Sequence, residues 1–145
     1  MKCIVDVNVL LPLLCEGHSF QASAYGWFDG READSVGWCL PVRLAILRHL
    51  SNERIMGSGV LRPEESLDAW EQLALDERMF EVSAIPPALE DRLRINVAGR
   101  QASPKLWTDA WLAALAESLN YEMVTCDRGF RRFALTSLHL LGEED

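Results

Sequence analysis

Short apolar segments alternate with longer amphipathic segments along almost the whole chain. Each short segment has the length of a buried strand, and each longer segment repeats its apolar residues at helical spacing. This alternation predicts an α/β domain. The predicted strands are Lys2–Asp6, Val36–Cys39, Phe80–Val82, Tyr121–Thr125 and Ser137–Leu141. The predicted helices are Val7–Cys15, His18–Asp29, Pro41–Leu50, Arg62–Asp76, Pro86–Val97 and Ser103–Leu119, with a short helical turn at Asp127–Phe133.

Turn-forming residues add two details to this pattern. The segment Asn52–Leu61 carries two glycines and is predicted to be a loop. Ser103 and Pro104 are predicted to open the long helix, with the serine as its cap and the proline in its first turn. A helix that starts there would place Asp109 beyond its first turn, too deep to act as a simple cap.

Length and hydrophobic patterning limit the class of protein. A chain of 145 residues fits one domain, and residues 1–145 are interpreted as a single domain. No stretch approaches the ~18 apolar residues of a membrane helix. The apolar N-terminal segment is interrupted by Asp6 and Asn8, and no A-x-A cleavage site follows it. A buried strand that enters a helix is therefore expected there, not a signal peptide.

The four cysteines and three histidines do not have the spacing of a zinc site. No two cysteines form a C-x-x-C pair, and the histidines are scattered along the chain. Without an export signal the thiols are expected to be free, in a cytoplasmic protein. The net charge of −8 disfavours binding of nucleic acid over a broad basic surface, but it is compatible with carboxylates that hold metal ions.

Three aspartates lie in surroundings that are wrong for solvated surface charges. Asp6 ends an apolar strand, Asp127 follows the strand MVTC, and Asp109 lies in LWTDAWLAALA, which is apolar on nearly every face. Ligands of an open parallel sheet bind at the carboxyl ends of its strands, where two of these residues lie. Asp109 lies near the beginning of the helix that leads into the strand before Asp127. We therefore expect the three carboxylates to meet in one acidic pocket.

Buried like charges need compensation, and a bound divalent cation provides it. Oxygen ligands without His or Cys nearby select Mg²⁺, with Mn²⁺ able to substitute. Asn8 and Thr125 are close in sequence to these acids and are expected to orient carboxylates or water. Purely structural interpretations stay open: Asp127 can cap the following helix, Asp6 can accept backbone hydrogen bonds after its strand, and Asp109 can pair with an arginine.

Four segments together resemble the PIN-domain family: IVDVNVLLPLL at 4–14, ILRHLSN at 46–52, TDAWLAALA at 108–116 and VTCDRGFRRF at 124–133. Within that family they are most similar to the VapC-type toxin ribonucleases of bacterial type II toxin–antitoxin systems. Their order and spacing extend the resemblance over almost the whole chain. The resemblance implies a three-layer α/β/α fold around a central parallel sheet with strand order 3-2-1-4-5.

The same resemblance implies an endoribonuclease that hydrolyses RNA phosphodiester bonds with Mg²⁺. Asp6 and Asp109 would be the main metal ligands, Asp127 the later acid of the cluster, and Thr125 the hydroxyl residue that precedes it by two. The implied partners are an RNA substrate, a cognate antitoxin protein and a second copy of the chain, with no membrane. Three arginines are expected to assist the approach of RNA, with a solvated helix face as the equal alternative: Arg128, Arg131 and Arg132.

One position departs from the family pattern. Many members carry a glutamate in the helix before the LRHL segment, and the corresponding residue here is Arg43, which is expected to face the pocket. An arginine there would pair with an aspartate or take the space of a second metal. It favours one alternative, a catalytically weak or inactive PIN-fold binding module. A second alternative is a phosphoryl-transfer enzyme with Asp6 as nucleophile, since D-x-N at 6–8 resembles an aspartyl-phosphate motif.

Overall fold

The computed structural model describes residues 1–142 of the chain. Five strands form one parallel sheet, in the order β3-β2-β1-β4-β5. The α/β class and the strand order expected from the resemblance are both confirmed. The strands are β1 (Cys3–Val5), β2 (Val36–Trp38), β3 (Met79–Glu81), β4 (Glu122–Thr125) and β5 (Leu138–Leu140).

Strand β1 lies at the centre of the sheet, and its residues suit complete burial. Cys3, Ile4 and Val5 are almost inaccessible to solvent. In the ladder, Ile4 is aligned with Gly37 of β2 and with Met123 of β4. A β-carbon at position 37 would lie only 2.7 Å from the carbonyl oxygen of Cys3, so this position in the ladder needs glycine. Because β1 and β4 are parallel neighbours, polar residues that follow these two strands meet at the same edge of the sheet.

Helices flank the sheet on the connections between its strands. None of those within residues 1–142 has both the length and the apolar character needed to cross a membrane. The α-helices are α1 (Val7–Leu14), α2 (Gln21–Asp29), α3 (Leu40–Leu50), α4 (Glu53–Met56), α5 (Pro63–Ala74), α6 (Leu89–Val97) and α7 (Leu106–Leu119). Two 3₁₀ helices span Gly57–Gly59 and Arg128–Arg132.

Helix α7 contributes most to the helical part of the core. It packs against α6 and against β1 and β4, the two neighbouring strands at the centre of the sheet. Alanine and leucine dominate its buried surface, which brings the helix close to the sheet. The buried residues of α7 are Leu106, Asp109, Ala110, Leu112, Ala113, Ala114, Leu115 and Ala116. The Asp109 carboxylate thus belongs to a helix whose position is fixed by packing.

The start of α7 differs from the sequence prediction. The helix begins at Leu106, and its N-cap residue, Lys105, makes no side-chain capping bond. Ser103 contributes only its backbone carbonyl, which accepts the Leu106 N–H at 3.2 Å. The predicted serine cap is therefore wrong, and Asp109 lies in the first turn of the helix instead of beyond it. The chain turns once more after Pro104 before the helix forms.

The predicted loop Asn52–Leu61 is also wrong in part, because α4 and a 3₁₀ helix lie within it. The Asn52 side chain caps α4 by accepting the Arg54 N–H at 3.0 Å. Gly57 then ends α4 at a positive φ of 56°, a conformation that favours glycine. Gly57, one of the two glycines that predict a loop, thus ends a one-turn helix. The other predicted elements agree with the structure to within three residues at each end.

Candidate active site

Asp6 lies at the carboxyl end of β1, where the strand turns directly into α1. Its backbone N–H donates to the Val124 carbonyl of β4 at 3.0 Å, which ties it to the neighbouring strand. One carboxylate oxygen accepts the Val7 N–H at 2.8 Å, and the other accepts the Thr125 hydroxyl at 2.8 Å. Only 7% of the residue is exposed. The junction of strand and helix therefore fixes this carboxylate in one orientation.

Asn8 and Thr125 connect the start of α1 to the end of β4. The Asn8 side-chain oxygen accepts the Cys126 N–H at 3.0 Å, and its amide nitrogen lies 3.3 Å from the Thr125 hydroxyl oxygen. That hydroxyl oxygen also accepts the Asp127 N–H at 3.0 Å. The two polar residues singled out from the sequence thus lie between the strand ends, and Thr125 contacts Asp6 directly.

Asp109 is buried in the first turn of α7, with 4% of the residue exposed. Burial is the main reason that its pKa is raised from 3.8 to about 6, and the charges of Asp6 and Asp127 raise it further. Lys105 and Arg132 act in the opposite direction, the latter with its guanidinium 3.8 Å from the carboxylate. Asp109 therefore has an arginine neighbour, but the positive charge around it does not restore an ordinary pKa.

Asp6 has a raised pKa for the same physical reason. Burial raises it above the ordinary value of 3.8, and the charge of Asp127 adds to this effect. Hydrogen bonds from Thr125 and from the main chain, together with the charge of Lys105, offset part of the increase. Asp6 and Asp109 are therefore two buried carboxylates whose pKa values stay raised despite the positive charges of Lys105 and Arg132 nearby.

Asp127 differs from the other two carboxylates because it is already paired. One of its oxygens accepts the Gly129 N–H at 2.8 Å and so caps the 3₁₀ helix. The other lies 3.2 Å from the ammonium nitrogen of Lys105. Burial opposes ionisation, but these two hydrogen bonds and the charges of Lys105 and Arg132 leave the pKa of Asp127 below its ordinary value. One Asp127 oxygen thus caps the helix, as the structural interpretation expects, and the other pairs with the Lys105 ammonium.

A groove of about 700 Å³ runs past Asp6 and Asp109. Its other sides come from α3 and from the segment that precedes α7. Apolar lining residues include Leu11, Pro41 and Leu44, and the basic ones are Arg48, Lys105, His18 and His49. The structure thus places two of the predicted site aspartates in one groove, with Asp127 joined to it through Lys105.

Arg43 lies on α3, but other residues of this helix line the groove. These are Pro41, Leu44, Ala45, Arg48 and His49. Residues three or four apart share a helix face, whereas positions 43 and 45 point to different sides. The Arg43 Nε is buried and has no hydrogen-bond partner among residues 1–142. Contrary to the expectation, Arg43 is therefore not among the residues that line the groove.

The three arginines after Asp127 lie in different surroundings. Arg132 stacks over the Phe133 ring at 4.5 Å and lies close to Asp109. Arg128 borders a smaller pocket that does not include the aspartates. Arg128 and Arg131 both take part in interactions with other residues. Arg132 thus contacts a site carboxylate.

Lys105 is the site residue that sequence reasoning missed. It is one of two lysines in the chain and is exposed enough to pass for a surface residue, with 69% of its side chain accessible. Its ammonium pKa is nevertheless raised, because the carboxylates of Asp127, Asp109 and Asp6 outweigh the effect of burial. A signal for it existed, since Lys105 precedes Asp109 by four residues, the spacing of neighbours on a helix face.

The donor chemistry of the groove fits a hard divalent cation. No group of three or more His, Cys, Asp or Glu side chains in the described part of the chain is arranged to hold a metal. Mg²⁺, however, keeps several water ligands and is commonly bound through one or two carboxylates. Asp6 and Asp109 provide two buried carboxylates that both line the groove. These two residues therefore fit a water-rich Mg²⁺ or Mn²⁺ ion.

A model of the PIN domain matches residues 3–135, and the chain belongs to the PIN-domain family. Ribonuclease VapC41 of Mycobacterium tuberculosis is 31% identical over 144 residues, which cover 97% of this chain and 99% of that protein. Ribonuclease VapC44 of the same organism is 29% identical over 143 residues, covering 95% of this chain and 92% of that protein. Both similarities extend over nearly the full length of each protein.

Solved structures support the same fold. The structure of VapBC2 from Rickettsia felis, bound to a DNA fragment from its promoter, matches with a TM-score of 0.67. The match covers 97% of this chain and 99% of that chain, at 14% sequence identity. At this identity the likeness concerns the fold.

Proposed function

We propose that this chain is a Mg²⁺-dependent endoribonuclease that hydrolyses RNA phosphodiester bonds and acts as the toxin of a type II toxin–antitoxin pair. The observation that carries the proposal is the pair of buried carboxylates, Asp6 and Asp109, that line one groove and whose pKa values stay raised beside the basic groups nearby. Full-length relatives with the name ribonuclease support the reaction, and PIN-domain nucleases of this type are generally metal-dependent.

Asp6 and Asp109 are the residues that would hold the ion, because both carboxylates are buried and both line the groove. A bound Mg²⁺ or Mn²⁺ supplies an activated water and stabilises charge on the scissile phosphate and the leaving oxygen. Thr125 and the Val7 N–H each bond one oxygen of Asp6, so this ligand is oriented before anything binds. Asp127 stays ionised and holds Lys105 at the border of the groove.

The RNA backbone would lie along the side of the groove that α3 forms. Arg48 is exposed there and offers a permanent positive charge, with His18 and His49 beside it. The pKa of His49 is lowered, by burial first and by His18 second, so this imidazole tends to be neutral at pH 7 and acts as a hydrogen-bonding group. The roles of Arg128 and Arg131 toward RNA remain predictions.

The reaction is tested with purified protein and labelled RNA, in single-stranded and structured forms. We expect endonucleolytic cleavage in Mg²⁺ or Mn²⁺ and its loss in excess EDTA, because Asp6 and Asp109 need the ion to act. Products separated on a denaturing gel report the cleavage, and restoration by added Mg²⁺ excludes irreversible damage by the chelator. Cleavage that persists unchanged in EDTA would contradict metal dependence, and no cleavage with either ion would contradict the nuclease.

The path of the RNA is tested with Arg48→Ala. We expect KM for RNA to increase about tenfold, since one charge-assisted hydrogen bond contributes about 1.5 kcal/mol, while kcat changes little. Arg94→Ala is the matched control, because Arg94 is an exposed arginine on α6 outside the groove. An equal KM for Arg48→Ala and the control would show that the backbone takes another path.

The remaining assignments follow from this function. The partner is a cognate antitoxin protein, and solved structures that share the fold include VapBC complexes. We place the protein in the cytoplasm and interpret it as a single domain that forms a homodimer. Light scattering at high concentration tests the dimer. The alternative of an inactive binding module depends on an arginine at the acidic site. Since Arg43 is absent from the groove lining, that argument loses its basis.

A further inference from the structure

The proposed function assigns no role to Lys105, although this residue lies in the acidic site. It comes directly before α7, and its side chain lines the groove together with Asp6 and Asp109. Its ammonium nitrogen lies 3.2 Å from the Asp127 carboxylate. One basic group thus stands among all three acids, on the side of the site that opens to solvent.

Positive charge already lies at this edge of the sheet without a metal. Lys105 is paired with Asp127, and the Arg132 guanidinium lies 3.8 Å from the Asp109 carboxylate. A divalent cation bound between these carboxylates would be repelled by both basic groups. A basic group that stays in place therefore weakens the binding of the ion.

Lys105 is the basic group that is free to move. Its side chain is 69% exposed, and its flexible stem ends in a single ammonium. Arg132 is less mobile because its guanidinium stacks over the Phe133 ring and only 32% of its side chain is exposed. Lys105 also borders the groove in which Arg48 lies, so the displaced ammonium stays within reach of a phosphate placed there.

We propose that Lys105 is an internal cation of the carboxylate site: without metal it neutralises Asp127 and its neighbours, and when a divalent ion binds it turns toward the RNA phosphate. The second half of this inference rests on the proposed ribonuclease function. The first half concerns metal binding alone. Lys105 thereby acts as a positioning residue that competes with the metal and then assists the substrate.

The competition is tested by titrating metal-free protein with Mg²⁺ and with Mn²⁺ in a calorimeter. Lys105→Met keeps the length of the side chain and removes its charge, so we expect the dissociation constant for either ion to fall about tenfold. Lys2→Met is the matched control. It removes the chain's other lysine, whose ammonium bonds the Asp34 carbonyl and lies over the Phe80 ring, away from the site. Lys105→Arg keeps the charge and should bind the ions as the parent protein does.

Two further readouts separate this role from a merely structural one. In EDTA, Lys105→Met should melt at a lower temperature than the parent, and Mg²⁺ should raise its melting temperature by more than it raises that of the parent. At saturating Mg²⁺, Lys105→Met should increase KM for RNA about tenfold with little change in kcat, and Lys105→Arg should restore most of the loss.

Unchanged affinity for both ions in Lys105→Met overturns the inference, as does the absence of measurable divalent-ion binding by both proteins. A KM equal to that of the parent removes the role toward RNA. If the parent fails to cleave RNA while Lys105→Met still binds metal more tightly, the ribonuclease proposal fails. The competition between the lysine and the metal then stands by itself.

Discussion

Asp6→Asn is expected to reduce RNA cleavage by about 100-fold or more while the protein stays folded. The substitution removes a charged ligand at nearly constant volume, and metal stabilisation of the transition state contributes several kcal/mol, with each ~1.4 kcal/mol equal to a factor of ten. The asparagine oxygen still accepts the Val7 N–H and keeps the cap of α1. Initial rates on labelled RNA at saturating Mg²⁺ measure the effect.

The matched control for Asp6→Asn is Asp68→Asn, which makes the same chemical change at an exposed position of α5. We expect this control to cleave at the parental rate. Circular dichroism and the melting temperature verify that both variants are folded. A rate for Asp6→Asn within about twofold of the control would remove Asp6 from the catalytic site, and activity in both variants at equal levels would point to a contaminating nuclease.

Asp109→Asn is expected to stabilise the metal-free protein and to abolish tight metal binding. The pKa of Asp109 is about 6 in the folded protein and 3.8 as the ordinary value, so folding favours its protonated form. Between pH 4 and pH 6 the folded protein binds the proton more tightly than the unfolded chain, and stability therefore falls as the pH rises. Above pH 6 the free energy of unfolding of the metal-free protein is lowered by the full amount, about 1–3 kcal/mol for a shift of two pKa units. The asparagine carries no such penalty.

Denaturant unfolding at several pH values tests this expectation for Asp109. In EDTA at pH 7.5 the variant should be more stable than the parent, and near pH 4 the difference should vanish. Mg²⁺ should raise the stability of the parent and leave the variant almost unaffected, because a ligand stabilises only the protein that binds it. A variant that is less stable than the parent at pH 7.5 in EDTA would show that Asp109 is satisfied by Arg132 without any metal.

The carboxylates could be predicted from the sequence because each has a local mark. Asp6 and Asp127 follow apolar strands, and Asp109 interrupts an apolar helix, so burial of charge is visible without a structure. The strand order came from the resemblance to the PIN family, since apolar periodicity identifies strands but does not specify which of them are neighbours. The pairing of β1 with β4, more than a hundred residues apart, then brings Asp6 next to Thr125.

What could not be predicted depends on which face of a helix a residue occupies. A shift of two residues along α3 separates Arg43 from Ala45, and only the latter lines the groove. Lys105 resembles a surface lysine in sequence, because a mostly exposed side chain gives no apolar context that would mark it. The start of α7 differs from the prediction because the Ser-Pro pair, which commonly opens a helix, here precedes an additional turn.

The hydrogen bonds between the start of α1 and the end of β4 join residues that are almost a whole chain apart. Asp6 and Asn8 are bonded to Thr125 and Cys126 across separations of 117 to 119 positions. During translation the N-terminal aspartate therefore emerges from the ribosome long before its partners are synthesised. A nascent chain that stops before β4 has no oriented Asp6, and a prematurely terminated product carries no assembled site.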